Sequence, residues 1–231
     1  MAFIQTRINY FTFPEDGSKP YQWIDEVEEP RRFPVDVENV RGREKEFTLD
    51  SAGFEFHTIP SREKNFESDE SIRANYYEDC IETIKKLTGA SRVRRVNMHL
   101  PKADVPALLS KRYQIINLWR PVQVPAWQFP LALCDFQTVN TDKVGGDFVP
   151  TTLKYKDRDG ETMSVKYSDE HLRKYLPGMQ PDELVLIKCF DSQLDGSVAT
   201  FTPQASIADP TTPPDAPQRH SIEARALVFY D

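Results

Sequence analysis

Ser221-Ile222-Glu223-Ala224-Arg225-Ala226-Leu227-Val228-Phe229 sets polar and apolar side chains alternately along most of its length, the period of two that a half-buried β-strand requires. The alternation puts Ser221, Glu223 and Arg225 on one face and Ile222, Ala224 and Ala226 on the other. Working outward from this strand, residues 113–120, 131–135, 153–155 and 183–190 are also rich in β-branched, aromatic and long aliphatic side chains, and they read as strands too. Five such strands with proline-rich connectors predict a mainly β sandwich or barrel with a few flanking helices.

The segment before these strands has a different character. Ser68 is a good N-cap, Asp69 and Glu70 favour the first turn of a helix, and Ile72, Tyr76, Cys80, Ile84 and Leu87 recur at helical spacing up to Gly89. Residues 102–111 predict a short helix, which Pro106 confines to its first turns. A second short helix is expected after Ser168, carrying His171, Leu172 and Tyr175. Residues 1–66 read as an N-terminal arm of extended pieces packing on the core, and 67–231 as the β-domain. The run from Pro203 to Pro217 is a proline-rich connector of rim-loop length.

Composition narrows the function. The 231 residues carry a formal charge of −7, the wrong sign for a phosphate-backbone binder or for an anionic membrane surface. No stretch approaches the roughly 20 apolar residues of a membrane span, so a soluble, cytoplasmic protein is expected. Phe 14, Tyr 9 and Trp 3 supply large apolar area for a core. Cys80, Cys134 and Cys189 are too few and too far apart for a disulfide framework or a zinc knuckle. Gly145 and Gly146 are the only close glycines, so neither a dinucleotide fingerprint nor a Walker loop is present, and no Gly-x-Ser-x-Gly elbow occurs.

The C-terminal two-thirds carries a more specific signal. The runs at 112–121, 130–135, 181–183 and 187–192, followed by 219–229, together resemble the AsaB-type hydroxylase/desaturase family, whose relatives include CmcJ-like proteins. That resemblance implies a double-stranded β-helix, a jelly-roll or cupin-like barrel, related to non-haem iron, 2-oxoglutarate-dependent oxygenases of secondary metabolism. It also implies an iron held by two histidines and a carboxylate. The chain departs from that pattern. Its four histidines, His57, His99, His171 and His220, are followed two positions later by Ile59, Pro101, Arg173 and Ile222, so there is no His-x-Asp or His-x-Glu. Where the family has a strand and the His-x-Asp pair after Leu87-Thr88-Gly89-Ala90-Ser91-Arg92-Val93, this chain passes almost at once to Pro101. Where the family has its later ligand histidine after Pro203, this chain has Gln204.

Those departures predict a protein with no cofactor and no metal site on an oxygenase-like scaffold. Its barrel cavity would take a small-molecule substrate. By the resemblance, Arg225 is the position suited to an oxoacid carboxylate; on chemistry alone it could bind a substrate carboxylate or enolate and stabilise developing charge. An internal ion pair between Glu223 and Arg225 is the structural alternative. Lys188, in an otherwise apolar strand, is a second catalytic candidate through a depressed pKa, and His171 a third as an acid or base. Asn117 and Arg120 fall on opposite faces of their strand, one toward the cavity and one toward a loop. Gln204, Asp135, Asp191, Tyr155 and Glu223 complete the candidate substrate-binding set, with capping or turn roles equally open to the two aspartates.

Three functions compete. The first is a redox-neutral cyclase, isomerase or dehydratase. The second is a surviving Fe(II)/2-oxoglutarate oxygenase whose ligands are drawn from His99, His171 and a carboxylate such as Asp135. The third is a non-catalytic partner of an active homologue. The acidic charge and the proline-rich arm leave room for a homodimer.

Overall fold

The computed structural model describes residues 2–23, 32–96, 100–142 and 144–230. Thirteen strands appear among them. Along the first half of the chain these are β1 (Ala2–Asn9), β2 (Tyr21–Trp23), β3 (Arg32–Asn39), β4 (Phe54–Thr58), β5 (Arg92–Arg95), β6 (Tyr113–Pro121) and β7 (Leu131–Cys134). The second half adds β8 (Phe148–Lys154), β9 (Asp159–Val165), β10 (Arg173–Tyr175), β11 (Glu183–Asp191), β12 (Gln204–Ser206) and β13 (Ser221–Phe229). They form two five-stranded sheets, ordered β4-β11-β6-β13-β5 and β1-β3-β10-β7-β12, and a three-stranded sheet β2-β8-β9. The two large sheets face each other as a curled, half-closed barrel of cupin type, which agrees with the β-helix expected from the sequence.

Pairing shows why the order is what it is. β6 lies at the centre of its sheet, antiparallel to β11 and β13, and its side chains are almost all withdrawn from water. The stretch read as an arm supplies β1, β3 and β4 to the two sheets: β4 pairs with β11 and β3 runs parallel to β10. The helical segment begins where expected. Ser68 accepts a hydrogen bond from the Ser71 amide, capping α1 (Asp69–Ser71), and α2 (Tyr77–Thr88) ends on Gly89 in the left-handed conformation. Between them Ile72–Tyr76 makes a π-turn that the sequence pattern did not announce. The predicted short helix is α3 (Val105–Leu109).

Two packed layers result. Tyr76, Cys80 and Ile84 of the helical segment close over one face of the β6 sheet, against Ile116, Leu118, Leu184, Leu186, Ala224 and Val228. Phe54, Trp119, Val185 and Ile187 from the other face meet Phe47, Leu133 and Leu176 between the sheets. Each fully buried side chain of this size contributes about 1.5–3 kcal/mol. Glu63 anchors the start of the helical segment by accepting from the Asn65 and Phe66 amides and from Ser71 and Asn75. Those bonds, Ser71 foremost, hold its carboxyl down at about 2.

The segment after Ser168 corrects an expectation. Ser168, Asp169 and Glu170 imitate a helix start, but the Ser168 hydroxyl accepts from the amide two residues on, as in a turn, and the chain goes directly into β10. Arg173 locks that turn by donating to the His171 and Ser168 carbonyls. No helix among the described residues is long and apolar enough to cross a membrane.

Candidate functional site

The face of β13 that carries Ser221, Glu223 and Arg225 looks into the space between the sheets. Register fixes its neighbours: Arg225 stands opposite Asn117, and Glu223 opposite Trp119. Trp119 belongs to the inter-sheet core with Leu133. On the facing sheet, Gln204 is registered opposite Leu133 and so shares its face. Arg225, Glu223, Asn117 and Trp119 therefore share the inner face of one sheet, and Gln204 lies on the inner face of the other, across the groove between the sheets.

Burial grades steeply across it. Asn117 is wholly buried, whereas the side chains of Arg225 and Glu223 are 53% and 35% exposed. Arg225 Nε donates to Asn117 Oδ1 at 2.9 Å, which fixes the guanidinium and leaves its outer nitrogens toward the groove. Asn117 Nδ2, buried beside it, has no hydrogen-bond partner, an unusual state for a buried amide. Arg225 Nη2 lies 3.9 Å from Glu223 Oε1, a loose ion pair rather than a hydrogen bond.

Cys189 also reaches this region. The register of β11 against β6 shifts between Lys188 and Phe190, so Cys189 is the extra residue of a bulge. Burial pushes its thiol up to about 11, with Arg225 lowering it and Glu223 raising it; near neutral pH it is a protonated thiol and a poor nucleophile. No pattern in the sequence points to Cys189 here, because a bulge leaves no mark on the apolar alternation.

Other candidates lie elsewhere. Lys188 pairs with Ile116 in the register and points to the helix-covered face. There it is fully buried, with Nζ 2.8 Å from both Asp50 Oδ1 and Asp191 Oδ2. It is thus a paired structural ammonium rather than a group opening on the groove. Asp191 belongs to the same network, accepting also from Arg112 and Gln114 at 2.7 Å. Arg120 is likewise on the helix side, donating to the Ile59 carbonyl at 3.2 Å, so Asn117 faces the groove and Arg120 ties down the loop. Asp135 caps a short 3-10 turn by accepting from the Gln137 amide. Tyr155 lies at the turn between β8 and β9, where the Arg158 guanidinium sits 4.3 Å over its ring.

The histidines are dispersed. His171 is buried with Nε2 2.9 Å from Asp147 Oδ2 and borders a separate cleft of about 470 Å³ with Phe3, Gln5, Tyr167, Leu172 and Lys174. His57 Nε2 lies 3.1 Å from Glu55, and His220 Nδ1 lies 3.2 Å from Gln123 Oε1. His99 is outside the described residues. Among the described residues, no three His, Cys, Asp or Glu side chains converge as a metal centre.

Comparison with known proteins places this geometry in context. The chain is 29% identical to hydroxylase/desaturase asaB of Aspergillus flavus over 243 residues, covering 99% of this chain and 95% of that protein. It is 40% identical to aspirochlorine biosynthesis protein N of Aspergillus oryzae over 141 residues, a match spanning 60% of this chain and 56% of that protein. The solved structure of the iron and alpha-ketoglutarate-dependent endoperoxidase NvfI superimposes with a TM-score of 0.80 at 20% identity, covering 99% of this chain and 98% of that one, so the two share a fold. The resemblance to AsaB-type hydroxylases and desaturases read from the motifs holds, and with a family match over residues 8–94 and 93–229, the chain belongs to the oxidoreductase/YMDC permease-like domain family.

Proposed function

We propose that this chain is a metal-independent, redox-neutral enzyme of secondary metabolism, a cyclase, isomerase or dehydratase, that binds a small organic acid or enolisable carbonyl compound in the groove between its sheets. The observation that carries the proposal is the Arg225–Asn117 pair with its orphaned amide hydrogens. A guanidinium clamped at Nε and a buried donor without a partner make a ready receptor for a carboxylate or enolate oxygen. The names of the relatives, a hydroxylase/desaturase and a biosynthesis protein, support the metabolic setting.

The residues present do not fit the iron centre implied by the name of the structural neighbour NvfI. Such a site needs two imidazoles and a carboxylate on one face. The groove has one carboxylate, two amides, a guanidinium and a protonated thiol, and the described histidines are each engaged elsewhere.

The chain's own groups suffice for a proton transfer. Glu223 takes a proton from the carbon next to the substrate carbonyl. Arg225 and the Asn117 amide hold the negative charge that develops on oxygen. Glu223 then returns the proton at another carbon, leaving the substrate isomerised and nothing oxidised or reduced. Trp119 supplies an apolar wall, and Gln204 can donate and accept at the opposite rim.

The test is hydrogen exchange. Protein purified in EDTA is incubated in D2O with a panel of 2-oxo and 3-oxo acids and followed by NMR. Exchange at the carbon beside the carbonyl is expected to survive chelation and to fall by about 10²–10⁴ in Glu223→Gln. Arg225→Leu should lower kcat/KM by about 10²–10³ through loss of oxyanion stabilisation. Turnover that appears only when Fe(II) is added, with 2-oxoglutarate consumed, would overturn the proposal in favour of an oxygenase.

A further inference from the structure

β1 is the outer strand of its five-stranded sheet, paired on one side with β3 over eight consecutive residues without a bulge. Among the described residues no strand covers its other side. An unpaired edge of this length offers a row of amides and carbonyls, and natural sheets normally blunt such edges with proline, charged side chains or a bulge. Ala2-Phe3-Ile4-Gln5-Thr6-Arg7-Ile8-Asn9 has no proline and no bulge, and Arg7 is its one charge. Phe3 on this strand is 56% exposed, next to the exposed Leu172 and Tyr167 that border the same cleft.

We infer that β1 pairs antiparallel with β1 of a second copy of this chain, joining two five-stranded sheets into one of ten strands. A two-fold axis perpendicular to the sheet keeps each face on its own side, so opposed residues must have the same parity. The register centred on Gln5 meets that condition and is self-complementary. It sets Gln5 against Gln5 on the axis, where the two amides can exchange hydrogen bonds, and Ile4 against Thr6. It also sets Phe3 against Arg7, so that each exposed ring is covered by a guanidinium and its aliphatic stem.

Charge agrees with this pairing. Arg7 is the cation on this face of β1, and β3 carries Asp36 on the same face, opposite Gln5; Glu38, opposite Phe3, is buried and already paired with Lys174 and Arg43. Each Arg7 is brought toward the strand of the other copy that carries Asp36. The contact is small, so association belongs in the weaker class of interfaces. Its consequence for the cleft is direct: Phe3 and Gln5 line it, and the second copy would form its missing side.

Three variants and a mass measurement test this. Light scattering at concentrations on the order of 100 µM, above the micromolar affinity suited to a small interface, should give twice the chain mass. Gln5→Cys should form an intermolecular disulfide under mild oxidation, because residues directly opposed in a ladder have Cβ atoms about 4.5–5.5 Å apart. Arg7→Cys should not, since the two Arg7 positions are four residues apart along the pairing, about 14 Å. Gln5→Lys places like charges on the axis and should weaken association about fivefold. The monomer should keep its fold, since the lysine faces Asp36 of its own chain. A monomeric mass throughout with no Gln5→Cys cross-link would overturn the inference, as would equal cross-linking by the two cysteine variants.

Discussion

Replacing Lys188 by methionine is expected to destabilise the protein by about 3–5 kcal/mol, the cost of removing one partner from a buried ion pair. Lys188 and Asp191 are both fully buried and their charges are 2.8 Å apart. Methionine fills the volume but withdraws the ammonium, leaving Asp191 to Arg112, Gln114 and the Gln193 amide. For a chain of this length the loss corresponds to a fall in Tm of about 6–20 °C. A Tm within 2 °C or so of the parent would show that the network carries little of the fold's stability.

Acid titration reads the same network. Burial would raise the Asp191 carboxyl, but hydrogen bonds from Arg112, Gln114 and Lys188 together pull it well below the usual carboxylate range. A group depressed in the folded state contributes stability that is fully present above its unfolded pKa, about 4, and is lost as the pH falls below that value toward the folded pKa. The parent should therefore lose stability below about pH 4, and Lys188→Met should show a shallower dependence there.

Gly53→Ala is the second large effect, expected to cost about 2–4 kcal/mol from left-handed backbone strain and steric overlap together. Gly53 has φ of +86°, and an added Cβ would stand 2.3 Å from Thr202 Oγ1 and 2.9 Å from the Phe201 carbonyl oxygen. The hydroxyl can turn aside, but the carbonyl belongs to the backbone that leads into β12 and Gln204. Urea denaturation should show the loss, and adding Thr202→Ala should recover only part of it. Full recovery by the double variant would mean that the close backbone approach does not matter.

Much of the architecture was legible because it rests on long periodic segments. The bounds of β13 follow directly from its alternation, and Ser68 and Gly89 delimit the helical segment by their capping chemistry. β10 and β12, at three residues each, are strands by virtue of what they pair with, and no local pattern marks them. The expected helix at His171 failed because Ser-Asp-Glu is equally good turn chemistry. The groove was partly legible: alternation put Arg225 and Glu223 on one face of β13, but left open which of Asn117 and Arg120 joins them, a choice that only the register against β6 makes. A lysine in an apolar strand looks the same whether it awaits a substrate or pairs with Asp191 of its own strand and Asp50 of a distant turn.

The bulge at Cys189 has a consequence for how β11 can vary. In an uninterrupted pleat, residues three apart point in opposite directions, yet Lys188 and Asp191 share a side because the extra residue inverts the parity of everything beyond it. Substituting Cys189 therefore leaves the shared side in place, and so would deleting it, since Lys188 and Asp191 would then stand two apart in a regular pleat; straightening the bulge at unchanged length would instead turn the carboxylate of Asp191 through the sheet and away from its ammonium. At this position the offset between the two strands, more than the thiol's chemistry, is the constraint.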